Sequence, residues 1–386
     1  MSFFGNDAVN RVNLHSGVQA LAEGAGGVFI LVFLLKAGVS APLVLCAMAA
    51  MTGGRFLLRP FVLPMARRLG LRRTLMLGTV LEAATYPLLP FVKGPDWAFL
   101  AVVLIGPVGS VLYWTCYHAY FASVGDEEHR GGQVGAREAL TAVVGVVAPL
   151  LGGWALAIGG PWLAFLGVAA IQVLAAVPLM GAPEVAVARE APGSFRAAWR
   201  GGALMACDGV FAGGYHFVWQ IALFVSLGES FTAYGGAMAL AALVGAATSL
   251  WIGRHIDAGR GRSAIVIAFV VAAGVLGLRA ASVDSAWLAV TANALGALVA
   301  AVWIPALMTP LYNLAKASPC PLRFNVATEG GWDLGCGGAC LVGAAMMAAG
   351  WTMAAPILLG LAGAVAAFAL LWRSYAAGSG PAAFST

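Results

Sequence analysis

The sequence predicts an all-α polytopic membrane protein, with twelve transmembrane helices in two six-helix bundles. Three observations carry this. Hydrophobic residues make up 61% of the chain and charged residues 10%, whereas soluble domains carry about 25% charge. The apolar residues run in long continuous stretches, and a hydrocarbon core takes roughly 20 of them per crossing, so about twelve crossings fit the length. Sixteen of the twenty-one lysines and arginines fall in alternate gaps between those stretches. A barrel would alternate instead, so strands are not expected.

In chain order, helix 1 is expected over Leu14–Leu35 and carries His15, Gln19 and Glu23, spaced four apart and so on one face. Helix 2, Ala41–Leu63, carries Arg55 and Arg59 and ends at the basic run Met65–Thr74. Helix 3, Thr74–Phe91, contains Glu82, and helix 4, Trp97–Ser123, ends in Tyr113, Trp114, Tyr117 and His118. Helix 5 is Ala136–Ile158, with Gly145, Pro149, Gly152 and Gly153; helix 6 is Trp162–Met180. Helix 7, Gly202–Ser226, holds Asp208, Tyr215, His216, Trp219 and Gln220, and helix 8, Phe231–Ile252, precedes the basic run Gly253–Ser263. Helix 9 is Ser263–Ala281 and helix 10 is Ser285–Ala315, with Asn293, Trp303 and Tyr312. Helix 11, Ala327–Ala349, carries Glu329 and Asp333, and helix 12 is Met353–Leu371.

Orientation follows from the cations. The sixteen lie on one side, against Lys36, Lys93 and Arg279 on the other, which places both termini in the cytoplasm. The gap Gly181–Gly201 contains Pro183 and Pro192 and reads as a linker. The expected organisation is therefore residues 1–181 as one bundle, 182–201 as linker and 202–386 as the second bundle. A shift of 191 residues brings Ala136, Glu138 and Gly152 onto Ala327, Glu329 and Gly343. A six-helix repeat of this kind is the internal symmetry of secondary transporters.

Several classes are excluded. The six cysteines are scattered without metal-type pairing, and the histidines lack ligand spacing, so no metal and no cofactor is expected. No paired nucleophile and base or phosphate loop appears, so an enzyme is not expected. The net charge of +5 reflects membrane orientation rather than nucleic-acid binding. The first residues lack a signal-peptide pattern, and the first helix is expected to be retained.

Together these features resemble the major facilitator superfamily over essentially the whole chain, with no subfamily identified. The family's G-x-x-x-D-R-x-G-R-R loop between helices 2 and 3, repeated between helices 8 and 9, is matched at Arg68, Gly70 and Arg72 and at Gly253, Asp257, Gly261 and Arg262. Arg67 stands where the first copy has its aspartate. The helix 5 glycines and Pro149 resemble the Gly-Pro-x-x-Gly-Gly element of drug–proton antiporters, with Ala148 replacing a glycine. The resemblance implies a cavity lined by helices 1, 4, 7 and 10, with helix 3 at the periphery.

A charge within the bilayer is costly, about 2.5–3.5 kcal/mol on insertion scales, so each one asks for a role. Glu23 and Asp208, on cavity helices by the resemblance, are the expected proton-coupling residues; Glu82 is expected to be structural or interfacial. Gln19, Tyr113, Trp114, His216, Trp219 and Asn293 are the expected substrate-binding residues, since aromatic faces with a few polar tips suit an organic solute. The resemblance also implies that helix 2 packs on helix 11, and helix 5 on helix 8. On that basis Arg55 and Arg59 are expected to form a gate with Glu329 and Asp333, and Glu138 with Arg254.

The expected function is secondary active transport of a small organic solute by alternating access, coupled to protons, with efflux among the open directions. The expected setting is a monomer in the bacterial cytoplasmic (inner) membrane, with proton, solute and lipid as partners. The alternative is a scaffold or assembly factor of the same fold that moves nothing.

Overall fold

The computed structural model describes residues 6–124, 130–252 and 261–376, with the side chains of 122, 130–139, 249–252, 261, 312, 313, 316 and 374–376 also outside the description. Among the described residues the structure is helical, with no strand. In order, the helices are α1 (Asp7–Ala25), α2 (Ile30–Lys36), α3 (Ala41–Leu58), α4 (Val62–Leu69), α5 (Leu71–Ala83), α6 (Trp97–Val124), α7 (Arg130–Trp154) and α8 (Gly160–Leu174). There follow α9 (Ser194–Ala197), α10 (Trp199–Ala212), α11 (Trp219–Ser226), α12 (Phe231–Ile252), α13 (Gly261–Ala281), α14 (Ala286–Ala317), α15 (Pro321–Ala348), α16 (Ala354–Leu358) and α17 (Gly360–Ala376).

Nine segments among the described residues are long and apolar enough to cross a membrane. The solvent they are built for shows on the surface. Leu100 and Leu104, four apart on α6, are 55% and 64% exposed, a placement that only lipid makes favourable at this density. Residues Leu140–Gly181 run as one such segment. α5 falls short by length, continuing only as a 3₁₀ stretch over Tyr86–Phe91. α15 instead carries Arg323, Glu329 and Asp333, all buried.

α1 starts seven residues before the expected Leu14, because the Asn6 side chain accepts the Val9 N–H and caps it. It stops at Gly26 and resumes as α2 after a 3₁₀ turn over Gly27–Phe29.

The chain packs as two compact units. The first comprises Met1–Val39, Gly54–Glu190 and Phe231–Ala239; the second comprises Ser40–Gly53, Ala191–Ser230 and Leu240–Thr386. The first turns of α12 thus belong with the first unit, where Tyr234 donates to the Val28 carbonyl at 3.2 Å. The first turns of α3 belong with the second, where Thr52 lies against Gly337 of α15.

Glycine sets the closest helix approaches in both units. A side chain at Gly152 of α7 would collide with the Ala25 carbonyl of α1, and one at Gly335 of α15 with the Ala206 carbonyl of α10. Small residues of this kind let helices pack in lipid, where no hydrophobic drive brings them together.

Where Gly70 separates α4 from α5, a carboxylate reaches in from elsewhere in the chain. Glu184 accepts the Arg72 backbone N–H at 2.8 Å and lies 3.5 Å from its Nε. Gly70, at φ +89°, leaves the space that Glu184 fills. Arg72 also donates to the carbonyls of Met180 and Ala182, and Tyr120 to that of Pro183. The start of the linker is thereby tied to α5 and α6.

Candidate functional site

The polar face of α1 meets α5 and α8. His15 is fully buried, with Nδ1 2.7 Å from the Ala175 carbonyl; since a carbonyl only accepts, that nitrogen carries the proton. One turn on, Gln19 is 2% exposed. Its Nε2 donates both to Glu23 Oε1 at 3.2 Å and to Glu82 Oε2 at 2.9 Å. Gln172 of α8 donates to Gln19 Oε1 at 2.8 Å and to Glu82 Oε2 at 2.9 Å. Two carboxyl groups from different helices are therefore held together through one amide.

The donor count of this cluster is lopsided. Each amide has two N–H donors, and all four are used. Gln172 Oε1, wholly enclosed, accepts nothing. Glu23 and Glu82 are both partly accessible. Arg55 is the cation in electrostatic range of Glu82. The cluster is rich in acceptors and short of hydrogens.

Glu82 is the residue that sequence reasoning set aside as structural. Its backbone is clasped by α6, where a side chain at Gly109 would strike it, and its carboxylate turns toward α1 and α8. The signal was available: Gln172 and Glu82 are the polar breaks in otherwise apolar runs.

The second unit is organised around aromatic donors. Asp208 of α10 accepts Trp303 Nε1 at 2.8 Å, and the Trp332 side chain hydrogen-bonds to it as well. Beyond Asp208 the helix widens into a π segment, Gly213–Val218, a feature concentrated at functional sites. A side chain at Gly214 would collide with the Ile357 carbonyl, so only glycine lets α16 close on this segment. The π turn presents Tyr215, whose hydroxyl donates to the Gly296 carbonyl at 2.6 Å, and His216, which is exposed.

The expected binding residues divide by accessibility. Trp219 and Asn293 are buried and bonded to each other at 3.0 Å. Tyr113 is 2% exposed and stacks on Tyr117 at 5.6 Å, with Trp114 half-buried beside it. His216 is the one whose side chain lies exposed on the surface of its unit.

The expected gating residues fall in different units. Arg55 and Arg59 belong to the first, where Arg59 is buried and donates to Thr115 at 2.9 Å. Glu329 and Asp333 are buried in the second. Arg254 lies outside the described residues, and so does the side chain of Glu138.

Arg279, counted among the outer-side cations, is 4% exposed, and its side chain turns inward against Tyr215.

The sequence profile of the Major Facilitator Superfamily matches residues 16–319. Solved structures share the fold at low identity. A POT family transporter bound to a thioalcohol-conjugated peptide superposes with a TM-score of 0.73 at 11% identity, covering 98% of both chains. A POT family transporter bound to 5-aminolevulinic acid gives 0.71 at 11%, again covering 98% of each chain. The human organic anion transporter MFSD10 (TETRAN) gives 0.66 at 17%, covering 95% of this chain and 97% of its own. The chain is an integral membrane protein of the major facilitator superfamily, a family of membrane transporters.

Proposed function

We propose that this protein is a proton-coupled secondary transporter of a small organic solute, working by alternating access, with twelve crossings in two six-helix bundles and both termini cytoplasmic. The observation that carries the coupling is the Gln19 amide shared by Glu23 and Glu82. A proton taken up by this pair on one side of the membrane and released on the other supplies the drive. Asp208, on the corresponding helix of the second half, is the other carboxyl position. Solved relatives that hold a peptide conjugate or 5-aminolevulinic acid support a small organic cargo. The charge asymmetry of the loops supports the orientation, and we place the protein as a monomer in a bacterial cytoplasmic membrane.

The test is a proteoliposome loaded with a pH-sensitive dye and challenged with a panel of organic acids, amines and short peptides. Solute-dependent proton movement by the wild-type protein is the expected result. Solute flux that leaves internal pH unchanged would contradict coupling. Absence of flux for the whole panel would favour the scaffold alternative.

A further inference from the structure

The end of the second unit where α10 begins turns aromatic and basic side chains outward. Residues four apart share a face through α9 and the first turn of α10. Ser194 and Ala198 form the inner row. The Ser194 hydroxyl donates to the Ala191 carbonyl at 2.8 Å, and Ala198 is fully buried with Leu314 and Phe324. With that row fixed, Phe195 and Trp199 face out, 52% and 66% exposed. Arg196 and Arg200 follow one residue on. Cζ of Arg200 lies 5.9 Å from the centroid of the Trp199 ring.

Three membrane-crossing segments meet at this rim. Trp199–Ser226 and Arg262–Ala281 start at it, and Ala354–Arg373 ends at it. α17 runs antiparallel to α10, because Gly360 lies against the Phe211 carbonyl and Gly363 against that of Cys207. Trp372 thus comes to the level of Trp199, and Cζ of Arg262 lies 5.4 Å from the centroid of its ring. The ends of a crossing lie among lipid headgroups, where tryptophan is enriched. The opposite rim also has tryptophans, Trp287 and Trp351, 86% and 58% exposed. Its cation, Arg279, is buried and turned inward, whereas Arg196 and Arg262 are exposed. Aromatic residues are common to both rims; outward guanidinium groups mark this one.

We infer that this rim binds anionic phospholipids by their headgroup phosphates, through Arg196, Arg200 and Arg262, with Phe195, Trp199 and Trp372 at the start of the acyl chains. Charge complementarity selects the occupant. A guanidinium meets a phosphate through two parallel N–H bonds at its edge, and the tryptophan rings attract the cations without neutralising them. Exposed rings beside basic side chains suit the boundary between headgroup and acyl chain. A zwitterionic headgroup brings its own cation to the same place and gains less. The inference rests on placement in a membrane, and on neither the transport reading nor the side on which the termini lie.

The experiment is native mass spectrometry of the delipidated full-length protein in neutral detergent. The probes are phosphatidylglycerol, phosphatidylcholine and sodium phosphate. Phosphatidylglycerol is expected to bind about tenfold or more tightly than phosphatidylcholine, and sodium phosphate at equal concentration to leave it bound. The double variant Arg196→Gln, Arg200→Gln is expected to weaken phosphatidylglycerol binding about tenfold or more, at roughly fivefold per arginine. Its phosphatidylcholine binding and thermal midpoint should not change. A phosphatidylglycerol with a photoactivatable headgroup should leave adducts on the wild-type protein within residues 195–200 and at Arg262 or Trp372, and this arm decides alone if the variant fails to fold. Equal binding of the two lipids, displacement by sodium phosphate, or unchanged phosphatidylglycerol affinity in the folded variant would each overturn the inference. So would adducts confined to other segments, or a two-copy mass in place of the lipid-bound one.

Discussion

In the first unit Glu23 accepts from the Gln19 amide, which also donates to Glu82; in the second, Asp208 accepts from indole N–H groups, and Arg279 lies against two aromatic rings. The difference is chemical as well as geometric. An amide both donates and accepts, so Gln19 and Gln172 can rearrange around a carboxyl group that gains or loses a proton. An indole only donates, so it offers no acceptor to a carboxyl proton. On the coupling proposed above, the first cluster can follow a change of charge by rearranging its amides, whereas the indoles of the second can only donate. The two units thus surround their carboxylates with different partners.

The largest effect that sharpens this contrast is on coupling. Glu23→Gln and Glu82→Gln are each expected to lower proton-driven uptake by about a hundredfold, the low end for a positioned proton-transfer group. Asp208→Asn is expected to lower it severalfold less in the same uptake assay. An equal loss in Asp208→Asn would erase the division of labour.

Packing offers the next test, because here the units should behave alike. Gly152→Val and Gly335→Val each place a side chain on a facing carbonyl. Each should destabilise by about 1–3 kcal/mol, read as a lower midpoint in detergent thermal unfolding. A change confined to one unit would show that the two glycine seams are not equivalent.

Smaller still, Trp303→Phe removes one donor from Asp208 and should cost about 1–3 kcal/mol if the acid is ionised, at the lower end because Trp332 remains. Glu184→Gln weakens a partly exposed latch and should cost less than about 1 kcal/mol. Its clearer readout is faster proteolysis between residues 181 and 201.

The apolar runs made the helices legible, because in lipid a continuous hydrophobic stretch has few alternatives to a helix. What interrupts them was not legible. The π turn at Gly213–Val218 depends on Ile357 and Ala339 approaching from distant parts of the chain. The row His15, Gln19, Glu23 was readable from its spacing, and it does face one way, toward α5 and α8. The contacts of Glu82 were not legible because its helix was assigned a peripheral place, whereas its neighbours Gln19 and Gln172 decide where the carboxylate points. The inward course of the Arg279 side chain was not legible for a related reason. Position near a helix end indicates the surface, but the direction of a long side chain is set by what receives it, here the Tyr215 carbonyl and two rings. Glu184 carried no motif at all, since it belongs to a different loop.

The central claim, that one proton site is shared between Glu23 and Glu82 through Gln19, is tested most directly by internal pH in proteoliposomes. The comparison is between Glu23→Gln, Glu82→Gln and the double variant, each supplied with a solute the wild-type protein carries. The account predicts that either single variant removes solute-linked proton movement and that the double variant adds no further loss, while solute exchange without a pH gradient persists. Solute-linked proton movement at the wild-type rate in the double variant would contradict it.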